Sequence, residues 1–106
     1  MKDHQSARGT VSADLHRFVV ERDKGCFLAA LDHEHVCRNK WGEQHAPTDL
    51  LQLTVDHVHE TPGGMKGKRA PSDTAHLVAM CWAGNVGCPS REVRQAEREY
   101  LRKVAA

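Results

Sequence analysis

Four cysteines and eight histidines restrict the fold of this 106-residue chain more than any other feature of its sequence. Aromatic residues make up only 5% of the chain, so its apolar core must be small. A domain of this length with few large apolar side chains often needs a metal ion or another cross-link for stability. We therefore expect a flexible polar N-terminus over residues 1–10 and a single domain over residues 11–106.

The cysteines are expected to be thiols or metal ligands and not disulfides. No apolar run approaches the roughly 20 residues that a membrane-spanning helix needs. The first six residues are polar and lack the apolar stretch of a secretory signal. Both observations predict a cytoplasmic, reducing location, with no membrane partner. The formal net charge of +1 does not by itself indicate a nucleic-acid partner.

Helices are predicted at both ends of the domain. The first runs from Ser12 to about Asp23 and stops near Gly25. The second begins at Ser90, and its apolar residues recur at helical spacing. These residues are Val93, Ala96, Tyr100, Leu101 and Val104. The arginines and glutamates of the same segment predict a salt-bridged face in solvent.

Two strands are predicted between the helices. Residues 51–58 are rich in strand formers and alternate between apolar and polar side chains as far as Val55. Residues 76–81 form a second short apolar run, and the glycine- and proline-containing segment between the runs predicts a long loop. An irregular Cys/His segment, 26–37, precedes the first strand. The order of elements predicts an α+β fold in which the two strands pair antiparallel and the last helix packs against them.

Asp56, His57 and Asn85 are the residues best suited to catalysis. A neutral imidazole can take a proton from water near neutral pH. Carboxylate and amide oxygens are hard ligands that suit Mg²⁺ or Mn²⁺ better than zinc. An Asp-His pair alone is also common as an ordinary strand end, so the arrangement around it decides the interpretation.

That arrangement resembles the HNH nuclease family, which has a ββα-metal (His-Me finger) core. The resemblance rests on the segments Leu53-Thr54-Val55-Asp56-His57-Val58 and His76-Leu77-Val78-Ala79-Met80-Cys81, followed by Asn85. It covers about residues 20–104 and is most specific over residues 51–90. Among HNH proteins it is closest to the small ones encoded by phages of actinobacteria.

The resemblance implies a role for each of four residues. Asp56 matches the metal ligand before the catalytic histidine, and His57 matches the general base. His76 stands where the family usually has an asparagine that pins the loop holding the base, so we count it with the catalytic residues. Asn85 matches the last metal ligand, which is histidine in many members and asparagine in others. The implied cofactor is one Mg²⁺ or Mn²⁺ ion.

One geometric difficulty accompanies these assignments. Neighbouring side chains of a regular strand point to opposite faces of the sheet. Asp56 and His57 can therefore serve one site only if the strand bends or ends at that point.

Many HNH proteins also contain a zinc ion held by two C-x-x-C pairs. Here position 29 is alanine and position 84 is glycine, so neither pair is intact. Cys26, Cys37, Cys81 and His35 could still form a tetrahedral structural zinc site. His33 and Cys88 are alternatives for the fourth ligand, and buried free thiols are the alternative to any zinc site.

The loop after His57 carries Lys66, Lys68 and Arg69, which could contact DNA phosphates. A solvated basic turn would have the same composition. His59 is close enough in sequence to reach the same site.

The sequence therefore predicts an endonuclease that hydrolyses DNA phosphodiester bonds with a histidine base and one divalent ion. The alternative is a non-catalytic nucleic-acid-binding module or a phage DNA-packaging accessory on the same fold. The resemblance to phage proteins makes a phage terminase an expected partner and the host cytoplasm the expected location. Target sequence and oligomeric state are left open.

Overall fold

The computed structural model describes residues 11–59, 71–87 and 89–104, which form helices, one pair of strands and the segments that connect them. In chain order, the elements are α1 (Ala13–Asp23), α2 (Phe27–Leu31), a 3-10 turn (Leu50–Gln52), β1 (Leu53–His57), β2 (Leu77–Cys81), α3 (Trp82–Val86) and α4 (Arg91–Val104). The predicted α+β class is confirmed. The predicted flexible N-terminus, residues 1–10, lies outside the described residues.

Helix α1 begins and ends as its sequence predicts. The Ser12 hydroxyl accepts a hydrogen bond from the Leu15 amide, which caps the N-terminus. Lys24 adopts a left-handed conformation with φ of 60°, and its amide donates to the Val20 carbonyl. Val19 and Val20 are buried, so this helix contributes one apolar side to the core.

The two strands form an antiparallel pair, as predicted. Their register runs from Leu53 opposite Cys81 to His57 opposite Leu77. The first strand is shorter than the predicted 51–58, because Leu50–Gln52 forms a 3-10 turn. All five residues of β2 are buried. The β2 strand therefore lies in the interior and is covered on both faces.

Alternation along the strands produces two apolar clusters. The larger one joins Val19 and Val20 of α1 to strand residues that include Leu53 and Leu77. The smaller one joins Val58 and Val78 to Leu101 of α4, with Tyr100 packed beside them. Helices α1 and α4 thus pack on opposite faces of the strand pair, and the predicted packing of the last helix is confirmed.

Side chains of α1 form hydrogen bonds with the backbone groups on the outer edge of β2. The Asp23 carboxylate accepts from the Ala79 amide at 2.8 Å, and the Arg22 guanidinium donates to the Leu77 carbonyl at 2.6 Å. Arg22 and Asp23 also pair with each other, and the Tyr100 hydroxyl donates to Asp23. An exposed strand edge invites pairing with other chains, so these contacts close it.

The same helix reaches the outer edge of β1 one to two turns earlier. His16 Nε2 donates to the Leu53 carbonyl at 3.0 Å. Helix α1 therefore crosses the strand pair from the outer edge of β1 to the outer edge of β2. This crossing fixes the position of both strands relative to the helix.

Three features differ from the sequence-based expectations. Segments 27–31 and 82–86 form one-turn helices that the prediction did not include. The predicted solvent face of the last helix is wrong in part, because Glu97 and Arg98 are buried. Glu97 faces the Asp56–Arg94 pair, and Arg98 donates to the Gln95 side chain of the same helix. No helix within the described ranges is long and apolar enough to cross a membrane.

We predict that Asp23→Ala lowers the free energy of unfolding by about 2–5 kcal/mol, because it removes the acceptor of the Ala79 amide and of the Tyr100 hydroxyl and the carboxylate partner of Arg22. Urea unfolding measures this change. Asp14→Ala is the matched control, since the Asp14 side chain is 92% exposed and should change stability by less than about 0.5 kcal/mol. Equal effects of the two substitutions would contradict the role assigned to Asp23.

Candidate metal centre and candidate active site

Four potential metal ligands converge between the cysteine segment and the end of β2. Each of Cys26, His35, Cys37 and Cys81 offers one ligand atom, and these atoms all lie within 4.8 Å of one another. The three sulfurs belong to free, buried cysteines. The predicted set of four residues is therefore brought together by the fold.

The fold places these ligands at the ends of short elements. Cys26 is the N-cap residue of α2. Cys81 is the last residue of β2 and the N-cap residue of α3. His35 and Cys37 follow α2 in the extended segment that leads back to the strands. The cluster thus joins two parts of the chain that are 55 residues apart between Cys26 and Cys81.

Backbone amides donate to two of the three sulfur atoms. The Cys81 amide donates to Cys26 Sγ at 3.3 Å, and the Gly84 amide donates to Cys81 Sγ at 3.2 Å. His35 Nε2 lies 3.2 Å from Cys81 Sγ. Amide donors stabilise thiolates and orient them toward a metal.

The donor set favours zinc over a hard cation. Three thiolates and one imidazole are soft or borderline ligands, and four protein ligands complete a tetrahedral shell. Such a closed shell is typical of structural sites, since a catalytic zinc keeps one position for water. Burial raises the pKa of Cys26 and Cys37, so a cation is needed to hold these sulfurs as thiolates.

Gly84 is packed closely behind Cys81. A Cβ at this position would lie 3.1 Å from both Leu28 and Met80. This close packing and the amide bond to Cys81 Sγ hold the start of α3 against α2. The fourth candidate ligand, His35, comes from the segment after α2.

His33 and Cys88 are the alternatives to His35 as the fourth ligand. His33 is exposed and does not belong to the cluster. Cys88 lies outside the described residues.

A surface cavity of about 440 Å³ adjoins the cluster, and its lining includes His35, Cys37 and His45. The cavity gives solvent a route to the His35 side of the cluster.

The predicted catalytic residues lie at the other end of β1. Asp56 is 3% exposed, and its Oδ2 is 2.6 Å from Arg94 Nη1 of α4. The same guanidinium nitrogen lies 3.1 Å from Glu97 Oε1. Asp56 is therefore part of a buried charge cluster with one cation and two carboxyl groups.

Glu97 is fully buried beside Asp56 and Arg94. Burial, followed by the neighbouring Asp56 carboxyl group, raises the pKa of Glu97 to about 9. One cation, Arg94, thus faces two buried carboxyl groups, and their mutual repulsion favours a proton on the pair.

Asn85 of α3 meets the outer edge of β1 beside Asp56. Its Nδ2 donates to the Val55 carbonyl at 2.9 Å and to the Thr54 hydroxyl at 3.1 Å. A carbonyl can only accept, so the amide nitrogen must face the strand. The Asn85 carbonyl oxygen consequently points away from these two partners.

Asn85 and Arg94 flank Asp56 along the strand. Asn85 binds the Val55 carbonyl, and Arg94 donates to the His57 carbonyl at 3.3 Å. These two carbonyls are two residues apart, roughly 7 Å along a strand. The residues predicted as metal ligands, Asp56 and Asn85, are therefore brought to the same stretch of strand edge.

His57 lies on the opposite face of β1 from Asp56, as strand alternation requires. Its Nε2 is 3.0 Å from the Ser72 hydroxyl. His76 Nδ1 is 2.7 Å from the Asp73 carboxylate, and the His76 carbonyl accepts from the Val58 amide. The turn 72–76 thus fixes the end of the loop and holds one ring nitrogen of His57.

Sequence reasoning did not identify Ser72, Asp73, Arg94 or Glu97. The spacing of Arg94 and Glu97 by three residues indicated a pair on one helix face, but not that this face points inward. The predicted DNA contacts Lys66, Lys68 and Arg69 lie outside the described residues. His59 is half-buried, and its predicted reach toward the site stays a prediction.

Comparisons with protein-family models, with curated proteins and with solved structures find no match for this chain. The HNH resemblance consequently stays a prediction from the sequence.

We predict close to one zinc ion per chain in protein purified without chelator. His35→Ala should lower zinc content and thermal stability, whereas His35→Cys should keep both by retaining a soft ligand. Metal analysis and thermal unfolding measure these changes. His33→Ala is the matched control and should behave as the parent chain. Full zinc content in His35→Ala would show that the fourth ligand is another group.

Proposed function

We propose that this chain is a metal-dependent endonuclease with a ββα-metal core that hydrolyses DNA phosphodiester bonds and carries a structural zinc. The observation that carries the proposal is the meeting of Asn85 with the strand edge beside Asp56. A hard oxygen donor of α3 is thereby held at the strand edge one residue from the Asp56 carboxylate, and His57 is the next residue of the same strand.

The residues suit the task that each would have. The Asp56 carboxylate and the Asn85 amide oxygen would hold Mg²⁺ or Mn²⁺, leaving the remaining coordination positions to water and a substrate phosphate. When bound, the divalent ion stabilises charge on the phosphate and on the leaving oxygen. The Arg94 guanidinium must then share Asp56 with the ion or turn away from it.

His57 would act as the general base. A water oxygen forms the new bond to phosphorus and gives its proton to the imidazole. The bond from phosphorus to the 3′ oxygen breaks, and the leaving oxygen takes a proton from solvent. Ser72 and the Asp73–His76 pair would orient the ring and the loop end, which is the role that the resemblance assigns to position 76.

The separation of His57 and Asp56 by strand alternation limits this mechanism. His57 is the last residue of β1, and the proposed mechanism requires its ring to reach the strand edge beside Asp56. The ring is held by the Ser72 hydroxyl, so the mechanism also requires this contact to change or to orient the base.

A non-catalytic nucleic-acid-binding module is the second candidate. The observation that favours it is the buried ion pair of Asp56 with Arg94, because a carboxylate that is already neutralised is a poorer ligand for a divalent ion. Under this alternative, the charge cluster stabilises the packing of α4, and the zinc-bound fold presents a binding surface only.

Cleavage of supercoiled plasmid separates the two candidates. Zinc-loaded protein should cut in added Mg²⁺ or Mn²⁺ and not without them. We predict that His57→Ala lowers the rate by at least about 10²-fold while DNA affinity and zinc content stay unchanged. His33→Ala is the matched histidine control.

Variants of Asn85 test the divalent ion itself. Asn85→Ala should weaken Mn²⁺ binding, so part of its lost activity should return at higher Mn²⁺ concentration. Asn85→Asp should be tolerated better, since it keeps an oxygen donor. Full cleavage by His57→Ala, or DNA binding without cleavage or Mn²⁺ binding in the parent chain, would favour the second candidate.

A further inference from the structure

The loop of residues 38–44, here called the Trp41 loop, displays a tryptophan to solvent. Trp41 is 72% exposed, although tryptophan usually buries most of its surface. The Lys40 ammonium lies 4.8 Å from the centroid of its ring. Arg38 is exposed at the base of the same loop.

The loop is built to hold this position. Asn39 is 7% exposed, and its side-chain oxygen accepts from the amides of Trp41 and Glu43. Its amide nitrogen donates to the side chains of Glu43 and Gln52. The Gly42 backbone has φ of +81°, which closes the turn. A preorganised loop loses little entropy when a ligand binds.

The base of the loop is joined to the metal cluster. Arg38 pairs with Gln44 in an isolated bridge, and the His45 amide donates to the carbonyl of the ligand Cys37. The Ala83 amide of α3 donates to the Arg38 carbonyl. The Trp41 loop is thus fixed between the metal cluster and the helix that carries Asn85.

The chemistry of the loop fits an unpaired nucleotide. An exposed indole stacks on a base of any sequence, and neighbouring cations attract the phosphates on either side. The one acidic residue of the loop, Glu43, is bonded to Asn39 at its core. Lys40 stands over the indole and Arg38 donates to the Gly42 carbonyl of the same loop, so the loop holds two cations.

We propose that the Trp41 loop binds single-stranded DNA by stacking Trp41 on an unpaired base. The inference rests on the proposed function and specifies the form of its substrate. Gln52, which the loop contacts, is four residues before Asp56, on the order of 13 Å of extended backbone. A stacked base would lie a few nucleotides from the candidate active site, so the favoured substrate contains an unpaired segment.

Binding of a short oligodeoxythymidine measures this directly. Trp41→Ala should weaken its binding by about 10- to 100-fold, the loss expected from one stacked base. Trp41→Phe should keep most of the affinity. An abasic oligonucleotide of the same length, which has phosphates and no bases, should bind the parent chain as weakly as oligodeoxythymidine binds Trp41→Ala.

Fluorescence identifies the residue that stacks. In Trp82→Phe protein, Trp41 is the single tryptophan, and oligodeoxythymidine should quench its emission whereas the abasic strand should not. Zinc content and thermal unfolding of Trp41→Ala should match the parent chain. Unchanged affinity in Trp41→Ala, equal binding of the abasic strand, or preference for fully paired duplex would overturn the proposal.

The test distinguishes this proposal from the proposed function. His57→Ala should bind oligodeoxythymidine as the parent chain does. Stacking without any plasmid cleavage would leave the Trp41 loop assigned and reject the nuclease. Plasmid cleavage by the parent chain, together with unchanged oligodeoxythymidine affinity in Trp41→Ala, would support the nuclease and reject the role of the Trp41 loop.

Discussion

Convergence of three cysteines and one histidine on a single point is the constraint on which the rest of the structure depends. The described part of the core is small, and its larger cluster includes the three sulfurs themselves. A metal ion bound there links the segment around Cys26 to the end of β2 and restricts the unfolded chain across 55 residues. It also fixes two attached parts, namely the Trp41 loop on one side and the α3 helix with Asn85 on the other.

The second constraint is the need to satisfy the outer edges of the two strands and the buried charges of Asp56, Arg94 and Glu97 near the end of β1. The strand pair is narrow, so side chains must satisfy its outer edges. His16, Asn85 and Arg94 each donate to an outward carbonyl of β1. On β2, Arg22 donates to the Leu77 carbonyl and Asp23 accepts from the Ala79 amide. Asn85 and Arg94 consequently stabilise the edge of β1 at the place where the nuclease proposal needs a metal ligand. Whether Arg94 or a divalent ion neutralises Asp56 decides between an enzyme and a binding module.

The sequence was sufficient to predict what depends on local pattern and on ligand chemistry. The first helix, the two strands and their antiparallel pairing follow from apolar spacing, β propensity and connectivity. The choice of His35 over His33 followed from its spacing to Cys37. The inward direction of Arg94 and Glu97 could not be predicted, since their charges indicate solvent unless the opposing Asp56 is known to be buried. Cys81 as the cap of a one-turn helix depends likewise on tertiary contacts.

The coordination of zinc tests the central claim most directly. Zinc K-edge X-ray absorption on the purified protein reports the type and distance of the ligand atoms without a crystal. The structure predicts a shell of three sulfurs near 2.3 Å and one nitrogen near 2.0–2.1 Å, from the cysteines and His35. A shell made only of nitrogen and oxygen, or a chain that folds with no bound metal, would contradict it.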